Sequence, residues 1–160
     1  MPDEYEYERF PKRKNPRING YDYATQNYYF ITICTKNKKC IFGSPDKLNS
    51  YGEAARNGLM QINDHFPNAR VDKFTVMPNH VHAIIILCGG GSSLPTIVGS
   101  YKSFVSRAVH AIDPKIVVWQ TSFHDHVIRN EEGYRQIWQY IDTNSARWQE
   151  DCFCISDAGR

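Results

Sequence analysis

The segment Val76-Met77-Pro78-Asn79-His80-Val81-His82-Ala83-Ile84-Ile85-Ile86-Leu87 constrains the fold more than any other part of the chain. A Pro-Asn pair followed by a β-branched run reads as a turn and then a buried strand, and a strand sends alternate side chains to opposite faces. His80 and His82 therefore share a face. Two imidazoles side by side either hold a metal ion or sit as hydrogen-bonded polar residues at a strand entry, and the motif alone does not choose between these readings. A metal site needs a third ligand and a reacting group from elsewhere in the chain.

With 160 residues, 41% of them hydrophobic and 13% aromatic, the chain can bury one core and is read as one domain. No apolar run approaches the roughly 20 residues that span a bilayer. The five cysteines are odd in number, and no apolar signal segment opens the sequence, which together point to a soluble protein with reduced thiols in a cytosol. Cys152 and Cys154 resemble half of a zinc site, but no second pair stands at a finger-like spacing. The net charge of +2 neither requires nor excludes a polyanion. Its distribution says more: Arg9, Lys12, Arg13, Lys14 and Arg17 crowd a proline-marked arm over residues 1–20, and Lys36, Lys38 and Lys39 follow the first strand. Basic arms of this kind neutralise phosphates, although a solvated leader has the same composition.

The core domain is expected over residues 21–160. Tyr28 to Thr35, dense in aromatic and β-branched residues, is the first strand. Ser50 to His65 has helical spacing, with Ser50 as N-cap and Glu53 three residues on. Ala69 to Met77 reads as a second strand, joined to the His-x-His strand by a hairpin at Pro78-Asn79. After Gly89-Gly90-Gly91, a second helix runs from Thr96 to Ile112 and exposes Lys102, Ser103, Ser106 and Arg107. Val117–Gln120 and Phe123–Ile128 are expected as a strand or bent strand pair, and a last helix starts near Glu131 and runs through Trp148. The order strand, helix, strand, strand, helix, strand is the split βαβ or ferredoxin-like α+β pattern, an antiparallel sheet with helices on one face and an appended C-terminal helix. Such a sheet places the His-x-His strand centrally.

On the last helix Gln136, Tyr140 and Asn144 are spaced by four and share a stripe beside the apolar face of Ile137, Ile141 and Trp148. A phenol at this border can lie over the sheet, and Asn144, one turn on, offers a carbonyl oxygen. Each residue taken alone also reads as ordinary structure: Tyr140 as an amphipathic edge of the core, Asn144 as a helix cap.

Three motifs together resemble the one-tyrosine HUH transposases, and within them the REP-associated tyrosine transposases. These are Met77-Pro78-Asn79-His80-Val81-His82; Trp119-Gln120 followed by Phe123-His124-Asp125-His126-Val127-Ile128-Arg129-Asn130-Glu131-Glu132; and Tyr140-Ile141-Asp142-Thr143-Asn144. The opening Gly20-Tyr21-Asp22-Tyr23 and Phe30-Ile31-Thr32-Ile33-Cys34-Thr35 are similar as well, so the likeness covers nearly the whole chain. It implies that Tyr140 is a nucleophile, that His80 and His82 bind a divalent ion, Mg²⁺ or Mn²⁺, and that Asn144 stands where family members carry a third, amide-bearing ligand. Ser145 departs from the family's usual proline and predicts a less sharply terminated helix. Some relatives form dimers with the tyrosine acting in trans and others work as monomers; the sequence leaves both a homodimer and a monomer open.

The expected activity is metal-dependent cleavage and rejoining of single-stranded, hairpin-forming DNA through a 5′-phosphotyrosine, as in transposition. A bound cation would offset charge on the phosphate, and a tyrosine with an ordinary pKa near 10 would attack once deprotonated. DNA would be held by the basic arm, by Lys102, Arg107 and His126, and by Tyr21 and Tyr23 as stacking rings. His124 and His126 form a second His-x-His, ranked behind the first as ligands; His65 and His110 lie near helix ends and receive no role. A different class of function is a non-catalytic nucleic-acid-binding module with an RNA-recognition-like sheet, in which Tyr28, Tyr29 and Phe30 stack on bases.

Overall fold

The computed structural model describes residues 27–150. The arm with Arg9, Lys12, Arg13, Lys14 and Arg17, the rings of Tyr21 and Tyr23, and the Cys152-Cys154 pair lie outside the described residues.

Four strands form one antiparallel sheet: β1 (Asn27–Cys34), β2 (Ala69–Met77), β3 (His80–Leu87) and β4 (His124–Ile128), in the spatial order β2-β3-β1-β4. Helix α1 (Ser50–Met60), the short α2 (Ile62–His65) and the long α3 (Leu94–His110) fill the two crossovers, and α4 (Glu131–Asn144) follows the last strand. This is the ferredoxin-like arrangement expected, with β3 inside the sheet between β2 and β1. Met77 pairs with His80, so Pro78 and Asn79 alone make the hairpin turn.

Alternation divides the strands cleanly between two apolar layers. Val81, Ala83, Ile85 and Leu87 of β3, with Tyr29, Ile31 and Ile33 of β1, pack under α1 and α3 against Leu59, Ile97, Val105 and Val109. Ile84 and Ile86, with Phe30 and Ile128, pack on the opposite face against Ile137, Tyr140 and Ile141 of α4. Helix α4 lies mainly across β2 and β3. A bulge between Val71 and Lys73 helps to seat it, because the extra residue, Asp72, accepts a hydrogen bond from Tyr134 Oη at 2.5 Å.

Several boundaries differ from expectation for local reasons. The first helix is capped by Asn49 rather than Ser50: Asn49 Oδ1 accepts from Gly52 N at 2.9 Å while Nδ2 donates to Ile41 O at 2.8 Å, a double role no serine can fill. The helix expected over Ser50–His65 is interrupted at Gln61, which has φ −95° and ψ −3°. Helix α3 begins at Leu94, two residues early, because Ser93 caps it and Pro95 fits a first turn. Val117–Gln120 is not a strand. Beside β1 it makes only the isolated Thr35–Trp119 bridge, since the chain leaves the sheet after Cys34 for a tight turn at Lys36–Lys38. Regular helix ends at Asn144, and Trp148 belongs to a 3₁₀ stretch, Ser145–Glu150, that continues from Ser145 in helical φ/ψ. Among the described residues no helix is long and apolar enough to cross a membrane, and Cys34, Cys40 and Cys88 are not in disulfides.

Candidate active site

The hairpin delivers His80 and His82 to the α4 side of the sheet, both fully buried. Each Nδ1 is engaged. Asn79 Oδ1 lies 2.8 Å from His80 Nδ1, and Asn79 Nδ2 donates to Lys38 O at 3.2 Å. The Lys38 carbonyl thereby sets the amide orientation, which leaves Oδ1 as acceptor and puts a proton on His80 Nδ1. Thr32, directly across from His82 on β1, places Oγ1 2.9 Å from His82 Nδ1. The two Nε2 atoms converge at 3.1 Å. The whole set exists because burial at zero exposure demands partners for every ring nitrogen.

Helix α4 supplies the phenol that lies over this pair. Asn130 caps it, accepting from Gly133 N at 2.8 Å, and Glu131 and Glu132 occupy its first turn. Lys73 of β2 pins its far end, pairing with Asp142 at 2.6 Å and standing 4.0 Å over the Trp138 ring. Tyr140 is thus held down on the sheet at 5% exposure, with its ring 5.3 Å from that of His82 and 6.3 Å from that of Phe30. Trp148 lies 6.2 Å from His80. Asn144, 2% exposed, stands on the same stripe between these two residues that touch the histidines. Gln136, the first member of the stripe, points away into a hydrogen bond with Glu132. Tyr140, His80 and His82 are therefore brought to one place within a single chain, and Asn144 follows Tyr140 by one turn on the same stripe.

The donor chemistry fits a divalent cation. Two nitrogens each about 2.1 Å from one ion and at right angles lie about 3.0 Å apart, close to the spacing found. With His80 protonated at Nδ1, one proton on His82 Nε2 satisfies the pair; when Thr32 instead accepts from His82 Nδ1, two lone pairs face one point that a cation would fill. Among the described residues no cluster of three His, Cys, Asp or Glu side chains gathers; the Asn144 amide is a neutral oxygen donor of the kind that suits such an ion, alongside substrate and water.

The remaining sequence candidates fall elsewhere. His124 and His126 are on the same sheet face as the first pair but across β1, opposite Thr32 and Phe30, half-buried on the edge strand. Lys102 and Arg107 lie on α3, in the layer on the other side of the sheet. Lys102 Nζ is committed to Gln120 O at 2.6 Å and Thr121 O at 3.3 Å, while Arg107 is exposed. His65 is exposed at the end of α2, and His110 bonds Ile116 O at 2.7 Å. The base-stacking sheet of an RNA-recognition module is not available: Tyr29 is inside the α1/α3 core and Phe30 is under α4, leaving only Tyr28 exposed.

Sequence reasoning missed Thr32 and Asn79. Asn79 could have been found from its place beside His80 at a two-residue turn; Thr32 becomes visible only once β1 and β3 are paired in register. Cys34, buried opposite His80, was missed for the same reason.

Residues 23–144, which include the four strands and helices α1 to α4, match the family model described as Transposase IS200 like. A protein of Haemophilus influenzae described as uncharacterised is 32% identical over 164 residues, covering 87% of this chain and 91% of its own length. The REP-associated tyrosine transposase of Escherichia coli K12 is 23% identical over 125 residues, 78% of this chain and 70% of that protein. The solved structure of a REP-associated tyrosine transposase bound to a REP hairpin has the same fold, with a TM-score of 0.65 at 23% identity, over 84% of this chain and 75% of the other. The family match spans the hairpin with its histidines and the helix with its tyrosine, and the chain belongs to the IS200-like transposase family.

Proposed function

We propose that this chain is a DNA strand transferase that cleaves and rejoins single-stranded, hairpin-forming DNA through Tyr140, with His80, His82 and Asn144 holding a divalent cation, Mg²⁺ or Mn²⁺. The observation that carries the reading is the meeting of Tyr140 with its own His82 at 5.3 Å, beside two Nε2 atoms 3.1 Å apart. A tyrosine that only sealed the core would not need two fully buried imidazoles under it, each held through Nδ1. The hairpin substrate is carried over from the REP-associated relatives, which the REP-hairpin complex supports.

In this reading the Tyr140 phenol gives up its proton and its oxygen forms a bond to a backbone phosphorus. The bond from phosphorus to the 3′-oxygen breaks, that oxygen takes up a proton to become a free 3′-hydroxyl, and the 5′-phosphate remains on Tyr140. One phosphoester is exchanged for another, so a 3′-hydroxyl can reverse the step without ATP. The cation, when bound, supplies charge to offset the negative non-bridging oxygens. Thr32 and Asn79 hold the imidazoles in orientation, while Phe30 and Trp148 limit water around them. The phenol and the histidines meet within one chain, which supports attack in cis.

The test is to incubate the full-length protein with a labelled single-stranded hairpin oligonucleotide and Mn²⁺ and look for a denaturation-resistant adduct. Wild type should form it; Tyr140→Phe should not, with cleavage slowed on the order of a thousandfold or more, about 4 kcal/mol in barrier. His80→Ala should lose it as well. An adduct that persists in Tyr140→Phe overturns the assignment.

A further inference from the structure

Beyond β1 the chain turns through Lys36-Asn37-Lys38-Lys39, where Asn37 (φ 56°) and Lys38 (φ 54°) are the only described residues other than glycine in the left-handed region. Such a conformation lasts only when its surroundings over-determine it, and it gathers at working surfaces. Here the bonds are many: Lys36 N donates to Val118 O at 2.9 Å, Thr35 Oγ1 to Lys39 O at 2.7 Å, and Asn79 Nδ2 to Lys38 O at 3.2 Å. The last of these ties the turn to the residue that orients His80.

The constrained turn forms one wall of a groove of about 380 Å³. Lys36 and Lys39 line it from one side and Lys115, from the connection between α3 and β4, from the other, with Val117 between them at 66% exposure. Among the described residues no carboxylate lines the groove. Asp113, the nearest acid in sequence to Lys115, has Oδ1 turned to the Lys115 backbone N–H at 3.0 Å. Among the described residues Arg56, Lys73 and Arg135 are in ion pairs, whereas Lys36, Lys39 and Lys115 are in none. Through Lys115 and Val117 the groove runs on into a second, about 390 Å³, that reaches Ser106 and His110 on α3. Three ammonium groups from two distant segments, set around exposed apolar surface at the His80 end of the sheet, fit a chain of phosphates joined by sugars and bases.

We infer that the groove between Lys36, Lys39 and Lys115 binds backbone phosphates of the single-stranded DNA whose scissile phosphate lies at Tyr140. This rests on the strand-cleaving reading for the identity of the strand, but not for the existence of the groove. The three lysines are exposed and their replacement leaves the core untouched.

The experiment measures binding of a fluorescent hairpin oligonucleotide with single-stranded flanks against salt concentration, for full-length wild type, for Lys36→Gln/Lys39→Gln/Lys115→Gln, and for the charge-matched Lys47→Gln/Arg56→Gln/Arg135→Gln. Each phosphate contact on a single strand contributes about 0.7 to the log–log salt slope, so the groove variant should lose about 2 of slope and on the order of a hundredfold in affinity at 0.1 M salt. The charge-matched variant should keep the wild-type slope. An unchanged slope in the groove variant overturns the groove and leaves the Tyr140 reading standing; a lost slope in a protein that never forms the Tyr140 adduct supports the groove and counts against that reading. Inorganic phosphate competing at the oligonucleotide's own concentration would mark a free-anion site and also overturn the inference.

Discussion

The two faces of strand β3 differ in what they bury. Toward α1 and α3 the strand shows Val81, Ala83, Ile85 and Leu87, an unbroken apolar row in a large core. Toward α4 the same strand shows His80 and His82, then Ile84 and Ile86 in a cluster less than half that size. The first face is stabilised by area removed from water; the second carries two imidazoles that burial would penalise were their nitrogens not bonded to Asn79, Thr32 and each other. The contrast teaches where this fold can hold chemistry. A site of buried polar groups is tolerated on the face closed by a single appended helix, because the face closed by two crossovers already supplies the core.

The largest effect that sharpens this comparison is on stability. Ile85→Ala should cost about 2–5 kcal/mol, with Ile84→Ala at the lower end because fewer groups surround it. Denaturant melts of both variants measure the difference, and a greater loss at Ile84 would break the claim that the crossover face carries the fold. Next come the residues that orient the imidazoles. Thr32→Val and Asn79→Leu should each weaken binding of Mn²⁺, followed by electron paramagnetic resonance, roughly 10–100-fold while leaving secondary structure intact. Unchanged affinity would make them packing residues only. Loss of the α4 cap is smaller: Asn130→Ala should cost about 1 kcal/mol, and hydrogen exchange should show the loosening in α4 and not in α3.

The smallest effect is a pH dependence on the α4 face. The hydrogen bond to Asp72, helped by burial, pushes the Tyr134 phenol up to about 12 from its ordinary 10.0. The folded state therefore favours the neutral phenol, whose contribution is whole below pH 10 and is lost as pH rises through 12. The gap in denaturant midpoint between wild type and Tyr134→Phe should be constant up to about pH 10 and close above it. A gap that stays constant through pH 12 would mean that the Asp72 contact does not hold α4 in solution.

Local pattern was enough for much of this architecture. Period-two alternation in Val81 to Leu87, helical spacing around Ile97 and Ile137, and turn residues at Pro78-Asn79 report only on each residue's own neighbourhood, and that is what strands, helices and hairpins depend on. They set the element order, the shared face of His80 and His82, and the stripe holding Tyr140 and Asn144. The apolar Val117–Gln120 deceived the same reasoning, since a strand needs a neighbour with free backbone groups and β1 had already turned away. The stripe of Lys102 and Arg107 likewise looked like one surface, yet Lys102 spends its charge on two carbonyls.

What only the tertiary structure decided is which distant groups meet. Thr32 and His82 are fifty residues apart and become partners through the β1–β3 register, and the Lys38 carbonyl reaches Asn79 through a left-handed turn that local propensity favours at Asn37 but not at Lys38. Helix α4 crosses β2 and β3 because the Asp72 bulge and Lys73 hold it there, and that crossing puts Tyr140 on its own His82. Sequence spacing determines the direction in which a side chain leaves its own element. What it finds there depends on packing between elements, where contacts are long-range and no periodicity records them.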